Sequence, residues 1–62
     1  KWACKSIVSR QFIPLGTVIT RDMLCTKRPG TGIPPERINE VIGRRSTKEI
    51  EEDVLIDWDQ VE

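Results

Sequence analysis

Apolar residues in this chain fall in short clusters between turn-forming residues. The longest run at helical spacing is "PPERINEVIG", residues 34–43. Ile38, Val41 and Ile42 lie there at i, i+3 and i+4, on one face of a helix. Pro34 or Pro35 can open it, Glu36 sits in its first turn, and Gly43 can stop it. A helix of about two turns is predicted, near the short end for globular proteins. The other clusters are shorter and β-branched: "KSIVS" (5–9), "GTVIT" (16–20, just behind Pro14) and "VLID" (54–57). Such short strands among so many prolines predict a small, irregular, mostly β fold rather than a regular sandwich. The expected core is Ile7, Val8, Ile13, Val18, Ile19, Met23, Leu24, Ile38, Val41, Ile42, Ile50, Leu55 and Ile56.

The pattern also repeats. "IPLGTVITRDML" (13–24) and "IEEDVLIDWDQV" (50–61) align at an offset of 37. Ile13, Ile19 and Asp22 recur as Ile50, Ile56 and Asp59. Val18 matches Leu55, and Leu24 matches Val61. Gly16 and Asp53 are both turn-tolerant types, and Thr20 and Asp57 are both good caps. Each unit reads as a turn, a short strand and a capped helical turn. Two such halves predict a pseudo-twofold fold interlocked around one small core.

Size bounds this picture. At 62 residues the chain forms one domain, spanning 1–62, of a size that buries only ~60% of the surface its unfolded form exposes. Apolar content is 37%, with one Phe and two Trp, so aliphatic residues must supply the core. Net charge is zero but uneven: residues 1–31 carry +5 and residues 32–62 carry −5. The balance argues against a nucleic-acid binder. The asymmetry fits halves that pair with each other, or a domain that docks on a partner. Two cysteines, Cys4 and Cys25, are fewer than a secreted scaffold carries, and no signal peptide or membrane-spanning stretch is visible. Buried free thiols in a cytoplasmic protein are expected, with one disulfide as the alternative. The chain starts with Lys, which reads as a piece excised from something longer.

Candidate chemistry is sparse. There is no histidine and no CxxC, so the commonest zinc ligands and the usual general base are missing. No catalytic residues and no metal ligands are expected. Glu49, Glu51, Glu52 and Asp53 read as a solvated turn rather than a paired-carboxylate site. "GTG" (30–32) is too short to cradle phosphate. What remains is "TKRPGTGIPPE" (26–36). Pro29 biases Arg28 toward an extended conformation, and Gly30 and Gly32 admit geometries other residues resist. The arginine stem is thereby held in a defined direction. Its guanidinium is a planar fork suited to carbonyl, carboxylate or phosphate oxygens. On the residues alone, Arg28 is either such a site or a surface cation paired with the acidic half.

The segments "SIV", "I-x-x-G-T-x-I-T-x-D-M-L", "KRPGTGI-x-P" and "VIGR", followed by an acidic turn, resemble the antifreeze-like, or SAF, domain at the C-terminus of sialic acid synthases. The resemblance covers residues 5–61. It implies the β-clip, or pretzel, fold of short strands, single-turn helices and internal pseudo-twofold symmetry. It also implies a role. In these synthases a (β/α)8 barrel condenses phosphoenolpyruvate with N-acetylmannosamine or a related amino sugar, with a divalent metal, typically manganese, in the barrel. The antifreeze-like domain caps the barrel of the other subunit in a domain-swapped homodimer. By motif, Arg28 is then the substrate-binding residue, supported by Lys27, Pro29 and Gly30. This domain itself is expected to hold no cofactor, and its partners to be the other subunit's barrel and the amino sugar, not nucleic acid or membrane.

The same fold serves fish type III antifreeze proteins, whose flat ice-binding surface includes the segment matching "QFIPLGTVIT". Gln11, Thr17 and Thr20 match it. Gly16 replaces an asparagine, Val18 a small alanine, and Arg45 a glutamine. Those departures argue against ice binding. A stand-alone SAF-type module, binding ice or chaperoning assembly, is the alternative. As an isolated domain, Arg28 is expected to be exposed and its loop mobile.

Overall fold

The computed structural model describes residues 5–28 and 30–62. Strand β1 (Ser6–Ser9) is buried at every position. The reason is its place in the middle: it pairs antiparallel with β2 (Leu24–Lys27) on one edge. On the other edge Ile7 N donates to Ile33 O at 2.9 Å, Ile56 N to Ile7 O at 3.0 Å, and Ser9 N to Val54 O at 2.9 Å. A strand covered on both faces has no exposed side to make polar, so "SIVS" shows no alternation. Its two polar residues, Ser6 and Ser9, are short, and their hydroxyls hydrogen-bond to backbone groups of distant segments, at Gly32 and Glu51.

The repeat is a real local twofold. Ile13 N donates to Ile50 O at 2.8 Å and Ile50 N to Ile13 O at 2.9 Å. The two residues matched by sequence therefore face each other across the axis. Val8 bridges Leu55, and its counterpart Arg45 bridges Val18. Gly16 (φ 81°) and Asp53 (φ 64°) occupy the same left-handed turn position in the two halves. The capped turns correspond as well: 3-10 helices at Arg21–Met23 and Trp58–Gln60 follow Thr20 and Asp57, both extended. Their caps differ. Asp57 accepts from Trp58 N at 2.8 Å and forms a capping box with Gln60, whereas the Thr20 side chain makes no capping bond.

The predicted helix at 34–43 divides into a 3-10 turn, Pro35–Arg37, and α1, Ile38–Val41. The helix stops earlier than Gly43: its C-cap Ile42 is already extended at ψ 132°, and Gly43, at φ 93°, lies one residue beyond. Val41 enters the core, while Ile38 and Ile42 pack against it half-buried. The core proper is Ile7, Ile13, Ile19, Leu24, Ile33, Val41, Ile50, Ile56 and Val61.

Three expectations are corrected. Val18 is not core but 47% exposed, because adjacent extended residues point to opposite faces and Ile19 takes the inner one. "GTVIT" and "VLID" make isolated bridges at Val18 and Leu55 instead of full strands. The second strand is Leu24–Lys27, where only Leu24 is buried, so its sequence carries no run of apolar residues to announce it. Cys25 is a half-buried free thiol; Cys4 lies outside the described residues.

Candidate functional site

The loop after β2 is closed at its base by one residue of β1. Ser6 pairs with Lys27, the last residue of β2. Its Oγ also accepts from Gly32 N at 2.9 Å, where the loop returns. Beyond Gly32 the chain goes straight into the core at Ile33, whose carbonyl accepts from Ile7 N. Gly32 makes a close approach here: a Cβ would stand 3.3 Å from Ser6 Cβ, a tight contact, and 3.6 Å from Ile56 O, an ordinary one. Both roots of the loop are thus fastened to the most buried strand, and the described loop residues Arg28, Gly30 and Thr31 are all exposed.

Arg28 is exposed, as are Lys27 and Gly30. Lys27 ends β2 and Arg28 and Gly30 follow it in the loop; the fourth sequence-predicted residue, Pro29, lies outside the described residues. The acidic turn contributes a contact that residue-by-residue reading missed. Lys27 Nζ donates to Asp53 Oδ1 across the two halves of the molecule. The hydrogen bond and charge of Asp53 hold the Lys27 pKa above its ordinary 10.5. The opposite net charges of the two halves hinted at pairing between them, but not at this partner. The neighbouring Glu49, Glu51 and Glu52 are solvent-exposed, as expected of a turn.

Two shallow clefts flank the loop. One, of about 620 Å³, is lined by Ser9, Arg10, Cys25, Lys27, Glu52 and Asp53. The other, of about 510 Å³, is lined by Lys5, Gly30, Gly32, Pro34, Pro35 and Glu36. Among the described residues no three His, Cys, Asp or Glu side chains converge to hold a metal.

Elsewhere on the surface, Phe12, Leu15 and Val18 are exposed. Val18 lies directly opposite Arg45 in its bridge, so the long guanidinium side chain stands on the same exposed face. On α1's side, Arg37 and Arg44 place their guanidinium carbons 5.1 and 5.3 Å from the centre of the Trp58 ring.

The SAF domain family profile matches residues 5–62. The chain belongs to the SAF domain family. It is 40% identical over 52 residues to an N,N'-diacetyllegionaminic acid synthase of Campylobacter jejuni, which covers 84% of this chain and 16% of the relative. It is 42% identical over 53 residues to a human N-acetylneuraminate-9-phosphate synthase, covering 84% of this chain and 15% of that one. This SAF domain therefore spans about a sixth of the length of the curated relatives it matches. Its fold superposes on the solution structure of an antifreeze-protein-like domain in human N-acetylneuraminic acid phosphate synthase with a TM-score of 0.93. The identity is 35%, covering 100% of this chain and 80% of that one. The fold is accordingly that of the antifreeze-like domain of sialic acid synthases, as the sequence segments implied.

Proposed function

We propose that this SAF domain caps the active site of a sialic acid synthase-type enzyme and supplies Arg28 to bind the amino-sugar substrate. The observation that carries the reading is an exposed arginine on a loop whose two roots are tied to the buried strand β1. The synthases among its relatives supply the substrate class. A guanidinium keeps its proton at any physiological pH, so its work is not proton transfer. It binds an oxygen of the amino sugar through its planar fork, orients the sugar for attack by phosphoenolpyruvate, and helps exclude water. Lys27, Pro29 and Gly30 support Arg28 in that role. The active site lies in a barrel of the other subunit of a domain-swapped homodimer, and that barrel holds the divalent metal. The domain contributes no catalytic group of its own, and the enzyme works in the cytoplasm.

Steady-state kinetics of Arg28→Ala in the full-length synthase test this. A raised KM for the amino sugar, or a lowered kcat, is expected; both constants unchanged would remove Arg28 from the substrate site. Against the alternative of a stand-alone ice-binding module stands Arg45, opposite Val18 on the face that would have to be flat. Thermal hysteresis by the domain at high concentration would reverse that judgement.

A further inference from the structure

We propose that Asp53 is a positioning residue for the Arg28 loop, its carboxylate fixing Lys27 and so the direction in which Arg28 leaves β2. The functional consequence rests on the reading of Arg28 as the substrate contact; the mechanics do not.

The backbone at Asp53 is the first indication. Its φ of 64° belongs to the left-handed region, where an L side chain is disfavoured. The equivalent place in the other half is filled by Gly16, at φ 81° with open space around it. Glycine suits this turn without a side chain. Nor does the turn use the Asp53 carboxylate to hold itself together. Asp53 N donates to Ser9 O at 2.8 Å, Val54 N to Ser9 Oγ at 3.0 Å, and Ser9 Oγ to Glu51 O at 2.5 Å. The Ser46 hydroxyl holds the Gly16 turn in the same way, without any carboxylate. Asp tolerates this backbone region, and its carboxylate, unused by the turn's own hydrogen bonds, is left to bond something outside it.

That something is Lys27. The ammonium comes from the other half of the chain, at the last paired position of β2, and bonds Asp53 Oδ1. Both side chains are more than half exposed, at 54% and 61%, so solvent screens the pair and its effect on global stability is small. Its effect is local. Lys27 lines the cleft that also holds Arg10, Cys25 and Glu52. With its head tied to the rigid Ser9-held turn, its stem cannot sweep across that cleft. The strand end stays in register against Ser6, and the next residue, Arg28, departs from a fixed platform. At the far root Gly32 is already fastened by Ser6 Oγ. Asp53 supplies the matching constraint at the near root.

The test compares Asp53→Gly, Asp53→Asn and Lys27→Met. Asp53→Gly removes the carboxylate while suiting the left-handed backbone, so the fold is preserved and a null result is not misfolding. In the 15N-labelled domain the expected result is a fall in the 15N–1H NOE of Arg28 Nε in all three variants. Lys27→Met/Asp53→Asn should be no worse than either single change. In the full-length synthase, KM for the amino sugar should rise by about tenfold, short of the roughly hundredfold that a 1 Å misplacement can cost, with kcat changed less. Asp53→Glu, which keeps the charge, should recover part of the loss. An unchanged Arg28 NOE in Asp53→Gly overturns the proposal. So does an unchanged KM in Asp53→Gly where Arg28→Ala raises it. If Arg28→Ala itself leaves KM and kcat unchanged, the substrate reading fails, and positioning is judged on the NOE alone.

Discussion

Ser9 and Ser46, 37 residues apart and both buried, each hold the tight turn of the opposite half through a single hydroxyl. Ser9 Oγ donates to Glu51 O and accepts from Val54 N. Ser46 Oγ donates to Pro14 O at 2.6 Å and accepts from Thr17 N at 2.9 Å. Four part-buried backbone groups thus depend on two small side chains. Removing the Ser9 hydroxyl takes the partner from Val54 N, and removing the Ser46 hydroxyl leaves Thr17 N only the longer bond to Pro14 O at 3.3 Å, each at about 1–3 kcal/mol. Ser9→Ala and Ser46→Ala should each lower the unfolding free energy by that amount, read as a lower urea midpoint at unchanged m-value. The double variant should lose the sum, because the turns they hold are separate. A loss indistinguishable from zero for either serine would show that the turns hold themselves.

Ile13 and Ile50 meet at the pseudo-twofold axis, and both are almost completely buried. Truncation to Ala at either one costs about 2–5 kcal/mol, enough to unfold much of a domain this small. The gentler Ile→Val change, at about 0.5–1.5 kcal/mol, keeps the protein folded for a double-mutant cycle. Because the two residues are bridge partners, the two losses should not add. Thermal melts of Ile13→Val, Ile50→Val and the double variant read this directly. Strict additivity would mean that the axis does not couple the halves.

The same axis explains how far the sequence could be read. The offset of 37 already paired Ile13 with Ile50 and Gly16 with Asp53, and those pairs proved to be equivalent positions. Extended four residues upstream, it would also have matched Ser9 with Ser46 and marked two buried serines that hydropathy hides. Val18 was misplaced because hydrophobicity alone cannot say which of two adjacent β-branched residues faces inward. Ile33 escaped the core list because it sits between Gly32 and Pro34, in the company of turns, yet it closes the loop against Ile7. Arg28 was legible as a candidate because Pro29 and Gly30 follow it in sequence. Asp53 as a partner of Lys27 was not, because the pairing depends on how two interlocked halves stack.

The glycines separate backbone demand from space. Gly16 has φ 81° and nothing within 4 Å of an added Cβ, so Gly16→Ala is penalised for its left-handed backbone alone, by about 1–2 kcal/mol. Gly16→Asn should cost less, since Asn tolerates that region. Gly32→Ala acts differently, by crowding Ser6 Cβ at 3.3 Å at the base of the Arg28 loop, so that Ser6 must shift by a few tenths of an ångström. Amide chemical shifts distinguish the two. Gly32→Ala should move the resonances of Ser6, Lys27 and Arg28, and Gly16→Ala should leave them in place. Identical shift patterns would dissolve the distinction.

Glu40 gives a pH dependence with a definite sign. Hydrogen bonds from Arg37, at 2.7 and 3.0 Å, hold its carboxyl below the ordinary 4.5, with the charges of Arg37 and Arg44 acting in the same direction. The native state therefore binds this proton less tightly than the unfolded chain. Its contribution is complete above 4.5 and is lost as pH falls through the lower, folded value. The Lys27 contribution runs the other way: present below 10.5, and lost as pH rises through the higher folded value. Neither pair should make stability vary near neutrality. Arg37 and Arg44 also lie within 5.3 Å of the Trp58 ring centre, so protonating Glu40 loosens Arg37 beside that ring. The 13C resonance of the Glu40 carboxyl should titrate below 4.5 in the native domain, and Arg37→Met should bring the midpoint back up toward it. The Trp58 indole resonance should shift with the same midpoint. A Glu40 midpoint unmoved by Arg37→Met would show that the hydrogen-bonded pair does not persist in solution.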